Sequence, residues 1–140
     1  MQNETSCGII IFCNNEAKTK FLLIREKRNT QLSFSKGHVE AGETFKETAC
    51  REVLEEVGLK VEIISEQYFV SKYSPTPTIN KTVYFFLGES KTMQLVLQEE
   101  ELAFAGWFTY EECLDQLGYL NDIENFRLAY KELLALGFIK

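Results

Sequence analysis

The chain has 140 residues, of which 45% are hydrophobic and 26% charged, with only 2 Pro and 8 Gly. That is enough apolar material for one sizeable core, and it excludes a disordered, collagen-like or linker-rich chain. Fifteen Lys and Arg against 21 Asp and Glu leave a net charge of -6, which argues against long nucleic acid or an anionic membrane as partner. An anionic substrate would therefore need a local cation, and a bound metal would serve. Met1 to Thr5 shows no basic-then-apolar leader pattern, and no apolar run approaches the roughly 18 residues that span a bilayer. Cys7, Cys13, Cys50 and Cys113 lack CxxC spacing and sit in apolar stretches. They read as free buried thiols in a cytoplasmic protein.

Ser6–Cys13 is rich in β-branched residues and predicts a strand; Phe21–Arg25 predicts a second, with Asn14-Asn15 as turn chemistry between them. Arg25-Glu26-Lys27-Arg28 reads as a solvated hairpin, and Gln31–Phe34 as a short strand leading into Lys36-Gly37-His38. The clearest helix follows. Thr44 is an N-cap, Glu47 completes a capping box and Gly58 suits the position after the last turn. Phe45, Ala49, Cys50, Val53, Leu54 and Val57 make its apolar stripe. Strands are expected at Val61–Glu66, Tyr68–Lys72, Lys81–Leu87, Gln94–Leu97 and Gly106–Phe108, with a loop around Pro75 and Pro77. Helices are expected over Tyr110–Leu117 and Asp122–Leu136. With no repeat or composition break, residues 1–140 read as a single α+β domain, a helix–sheet–helix sandwich.

The central helix carries a second pattern. Glu52, Glu55 and Glu56 stand at i, i+3 and i+4, so three carboxylates leave one side. Unpaired like charges oppose helix formation, and a hard divalent cation such as Mg²⁺ or Mn²⁺ would reverse that cost. A solvated acidic face is the plainer alternative, and the surrounding residues decide against it. Gly37, five residues, Glu43, seven residues, then Arg51-Glu52-Val53-Leu54-Glu55-Glu56-Val57-Gly58-Leu59 resembles the Nudix signature and matches it at every fixed position. At a background of roughly 5–7% per residue type, those seven fixed letters coincide about once in 10⁸ starting points. The resemblance implies a Nudix-type α/β/α sandwich with a mixed sheet and a central catalytic helix. It further implies two or three Mg²⁺ (or Mn²⁺) ions held by Gly37, Glu52, Glu55 and Glu56 on a diphosphate, with Arg51 pairing with Glu43 to brace loop against helix. A carboxylate from a later loop would act as base or ligand; in Glu99-Glu100-Glu101, otherwise a solvated run, Glu101 is the first choice and Glu100 the second.

Within that family the chain resembles the asymmetrical diadenosine tetraphosphate hydrolases. Lys36-Gly37-His38 fits the start of their signature, Lys81-Thr82-Val83 their Lys-Thr-Val strand, and Glu101 stands six residues before Trp107. Tyr73 would stack a base, and Lys36, His38 and Lys81 would contact phosphate. Ordinary alternatives are a half-buried strand tyrosine for Tyr73, an edge-protecting charge for Lys81 and a solvent-facing loop residue for His38. The chain departs from the pattern where the subfamily has Trp and two prolines, since Leu32, Phe34 and Ser35 stand there. The expected function is asymmetrical cleavage of diadenosine tetraphosphate to ATP and AMP by a monomer or homodimer acting on small nucleotides. The alternatives are a pyrophosphatase for modified nucleoside triphosphates or nucleotide sugars, and a non-catalytic nucleotide-sensing module.

Overall fold

A computed structural model of the chain describes residues 1–15 and 18–139. Among the described residues, six strands and three helices follow in order. They are β1 (Gln2–Asn15), β2 (Lys18–Glu26), β3 (Lys36–His38), α1 (Phe45–Val57), β4 (Glu62–Thr76), β5 (Ile79–Glu89), β6 (Leu102–Phe108), α2 (Tyr110–Gln116) and α3 (Leu120–Leu136). The sheet order is β4-β5-β1-β2-β6, with β3 beside the N-terminal half of β1. β1 and β5 run parallel and the other pairs antiparallel, so the sheet is mixed.

Alternation along the strands divides the core in two. Cys7, Ile9 and Ile11 of β1 pack with Ala49, Val53 and Val57 of α1, while Ile10 and Phe12 pack with Phe126, Ala129 and Leu133 of α3. One helix therefore covers one face and two helices the other, the expected α/β/α sandwich. α1 begins at the expected capping box, with Thr44 accepting from the Glu47 amide and Glu47 accepting from the Thr44 amide. It ends on Gly58, whose φ of 73° lies in the left-handed region that favours glycine. Two members of the predicted stripe, Phe45 and Leu54, are largely exposed; Phe45 stacks on Tyr84 with ring centroids 4.7 Å apart.

Several boundaries differ from expectation for identifiable reasons. Gln31–Phe34 is no strand; Leu32 and Ser33 form isolated bridges, and the free edge of β1 at Ser6–Gly8 pairs instead with Lys36–His38. Gln94–Leu97 is no strand either. Its extended backbone closes off α1, Val96 N donating to Val57 O at 2.9 Å and Gln98 N to Glu56 O at 2.8 Å, where a helix end leaves carbonyls unsatisfied. The two strands expected across residues 61–72 are one strand, β4, with a register shift between Ile63 and Tyr68. Pro75 belongs to this strand, which it can because β4 is an edge, and the turn falls at Pro77-Thr78. Asn14 and Asn15 end β1, paired with Thr19 and Lys18; the intervening residues 16 and 17 lie outside the described residues. All four cysteines are free, and Cys7, Cys13 and Cys113 are buried. No helix among the described residues is long and apolar enough to cross a membrane.

Candidate active site

β3 is a thin partition between two groups of polar side chains. Gly37 pairs with Cys7, whose side chain belongs to the α1 face, while Lys36 and His38 pair with Gly8 and Ser6 on the α3 face. A Cβ built on Gly37 would lie 1.9 Å from the Glu52 carboxyl carbon, so only glycine lets the strand pass this close to the helix carboxylates.

On the α1 side, one guanidinium organises three carboxylates, two partly buried and one exposed. Arg51 Nε donates to Glu43 Oε2 at 2.6 Å and Nη2 to Glu43 Oε1 at 3.1 Å, a bidentate pair. Arg51 Nη1 reaches Glu52 Oε1 at 2.9 Å and Glu55 Oε1 at 3.1 Å, and Nη2 donates to the His38 carbonyl at 3.0 Å. Loop, β3 and helix thus meet at one side chain. Those hydrogen bonds, from Arg51 above all, hold the Glu43 carboxyl down at about 2. Glu52 moves the other way: burial raises it, against the Arg51 bonds, with Glu55 and Glu101 adding negative charge. Glu101 is exposed, and its backbone is tied to the β2 end through Lys27 N at 2.8 Å.

Glu56 is different. It is 3% exposed, and its side-chain hydrogen bond comes from the Ser35 hydroxyl. Burial pushes its carboxyl up to about 7, with Glu52 and Glu26 adding to the rise and Ser35 and Lys36 opposing it. An acid in that environment is stabilised by an added cation.

On the α3 side, strand register sets a group of polar side chains on one face of the sheet. Tyr73, Lys81 and Glu4 lie in one row, and Ser71, Val83, Ser6 and His38 in the next. Lys81 is half-buried, and burial followed by the charge of Lys36 lowers its pKa. Burial, then Asp122 and Glu26, raises the Tyr73 hydroxyl to about 12. His38 is exposed, its Nε2 3.8 Å from Glu4 Oε1. Tyr73, Lys81 and Lys36 are therefore neighbours, but they face α3 while the glutamates face α1. Lys36 and Glu26 join the halves, for both act on Glu56 and on Lys81.

Four contributors escaped the sequence reading. Glu26 was expected in a solvated hairpin, yet its side chain is largely buried, 3.7 Å from Lys36 Nζ and 2.9 Å from Arg28 Nε. Ser35 reads as loop in a sequence but points its hydroxyl at Glu56. Ser6 Oγ is fully buried without a hydrogen-bond partner among the described residues, and Asp122, in the first turn of α3, is buried and pushed up to about 6. No periodicity marks any of them; each is defined by what another strand or helix brings beside it.

The carboxylate set fits a hard divalent cation in chemistry and charge. Its donors are oxygens only, two of the three glutamates have raised pKa values, and glycine clears space at Glu52. Among the described residues no three His, Cys, Asp or Glu side chains yet converge on one point. Arg51 holds Glu52 and Glu55, and Ser35 holds Glu56.

Residues 4–128 match the NUDIX domain family model. The chain belongs to the Nudix family. Over 76 residues this Nudix chain is 45% identical to the NAD-capped RNA hydrolase NudC of Mannheimia succiniciproducens, a match covering 54% of this chain and 27% of that protein. The chain thus spans little more than a quarter of that relative's length. In fold it is similar to an Ap4A hydrolase of C. elegans in a binary complex, with a TM-score of 0.83 at 22% identity over 94% of this chain and 98% of that one. It is also similar to the NUDIX domain of Shewanella oneidensis NrtR complexed with ADP ribose. There the TM-score is 0.77 at 10% identity, over 95% and 90% of the two chains.

Proposed function

We propose that this Nudix domain is a Mg²⁺-dependent hydrolase that splits a phosphoanhydride in a nucleoside diphosphate derivative. Diadenosine tetraphosphate, cut asymmetrically to ATP and AMP, is the leading substrate. The observation that carries the reading is the placement, on the two sides of β3, of a carboxylate cluster and of a sheet face carrying two lysines and a tyrosine. Glu52, Glu55 and Glu56, with the Gly37 carbonyl and Glu101 nearby, would hold Mg²⁺ or Mn²⁺. The metal would supply positive charge against the phosphoryl oxygens and orient water for in-line attack.

The chain's own groups do the rest. Lys36 and Lys81 set cationic charge beside the phosphates, and their partial burial strengthens each contact relative to bulk water. Tyr73 offers an aromatic face to a base, and Glu56 or Glu101 accepts the proton of the attacking water. Arg51 fixes the loop against the helix, holding Glu43 and the His38 carbonyl beside the helix carboxylates before substrate arrives. The fold likeness to the C. elegans Ap4A hydrolase supports a substrate of two nucleosides joined through phosphates. The NudC relative supports a second reading, a dinucleotide of the NAD type, which shares that chemistry with a shorter bridge.

Chromatography of products from diadenosine tetraphosphate, NAD⁺ and a nucleoside triphosphate, with Mg²⁺ and an EDTA control, tests the proposal. Metal-dependent ATP plus AMP is expected from the first. AMP plus nicotinamide mononucleotide from NAD⁺ alone would move the assignment to the second reading, and pyrophosphate from the triphosphate to a pyrophosphatase. Cleavage of none of them would leave a sensor module.

A further inference from the structure

Glu52 and Glu55 share the Arg51 guanidinium, but Glu56 has no such partner; the ion pairs among the described residues leave it out. Its carboxylate is held by a hydroxyl. Ser35, 1% exposed, donates from Oγ to Glu56 Oε1. The serine is itself fixed from behind. Ile9 N donates to the Ser35 carbonyl at 3.3 Å, and a Cβ on Gly8 would lie 2.2 Å from that oxygen, so glycine on β1 lets the segment seat this deeply. The backbone is thus locked to β1 at Ser35 and Lys36 and to β2 through Ser33 and Ile24, and the hydroxyl has Glu56 as its acceptor.

We propose that Ser35 is a positioning residue for the metal site. By donating to Glu56 Oε1 it fixes the carboxylate plane, in the orientation from which Glu56 would help to hold the cation. This rests on the metal-binding reading above. Without the hydroxyl, the buried carboxylate loses the donor that orients it, and outer partners of this kind alter metal affinity by roughly 10–100-fold.

The test is Mn²⁺ alone, titrated into the full chain without substrate and followed by electron paramagnetic resonance of the free ion. Melting temperature in EDTA is measured alongside. Ser35→Ala should weaken Mn²⁺ binding about tenfold or more. Glu56→Ala should weaken it further, and the double variant should bind no worse than Glu56→Ala, because Ser35 acts only through Glu56. Ser35→Cys, a weaker donor of similar shape, should fall between wild type and Ser35→Ala. Leu133→Ala, in the core under α3, should melt lower yet bind Mn²⁺ like wild type. Unchanged affinity in Ser35→Ala beside weak binding in Glu56→Ala overturns the positioning role and leaves the metal reading standing. Absence of Mn²⁺ binding by the wild-type chain overturns both.

Discussion

The carboxylate cluster has two halves that solve the same electrostatic problem differently. In the outer half, Glu43, Glu52 and Glu55 converge on Arg51, and the guanidinium offsets their charge in partly wet surroundings. In the inner half, Glu56 is enclosed and meets only a neutral hydroxyl, so its charge is raised in energy. The outer half is cross-linked through Arg51, and the inner half holds a buried carboxylate without an ion-pair partner among the described residues. One helix provides Glu52, Glu55 and Glu56, and around its axis the i+3, i and i+4 positions step from solvent toward the sheet.

Glu56→Gln should give the largest effect that separates the halves. It removes the charge that calls for a cation while keeping the shape, and turnover should fall by roughly three orders of magnitude or more with melting temperature unchanged or raised. Retained activity in steady-state assays would break the assignment. Gly37→Ala comes next. The added carbon collides with the Glu52 carboxyl, and displacing a reacting group by about 1 Å costs roughly 100-fold in turnover, the loss expected here. Arg51→Lys keeps the charge and loses the bidentate fork to Glu43, so it should cost about tenfold in kcat/KM. Near-wild-type kinetics would show that the brace needs charge alone.

Two smaller effects are read in stability against pH. Asp122 is raised from 3.8 to about 6 by burial, so the folded state prefers its protonated form. Stability is lost as pH rises from about 4 through 6, and Asp122→Asn should remove the loss. The variant should gain up to about 3 kcal/mol at pH 8 and nothing below pH 4 in paired denaturant titrations. Glu43 has the opposite sign. Its folded value of about 2 lies below the ordinary 4.5, so its contribution is present above 4.5 and vanishes as pH falls toward 2. Melting curves of wild type and Glu43→Gln should separate at pH 6 and converge near pH 2.

Much of this was legible in the chain itself. The capping box at Thr44, the stop at Gly58 and the three glutamates are local patterns, set by helical spacing within a few residues. The signature from Gly37 to Leu59 named the family because its letters serve a single loop and helix. Elsewhere the reading stopped where a neighbour from distant sequence was needed. Gln94–Leu97 has a strand's composition, yet its backbone donors meet the carbonyls at the end of α1. Glu26 sits in a run of charges that looks solvated, and only β3 arriving beside it buries it against Lys36.

The sequence by itself determined the central helix, its caps and its carboxylates, since hydrogen bonds and side-chain periodicity within one segment fix them. Tertiary structure alone decided which carboxylate is buried, that Ser35 is its partner, and that Lys36 and Tyr73 lie near Asp122, with Lys81 near Lys36. Those features arise when strands far apart in the chain pair in register. Burial and charge proximity are properties of that pairing, and no short stretch of residues carries them.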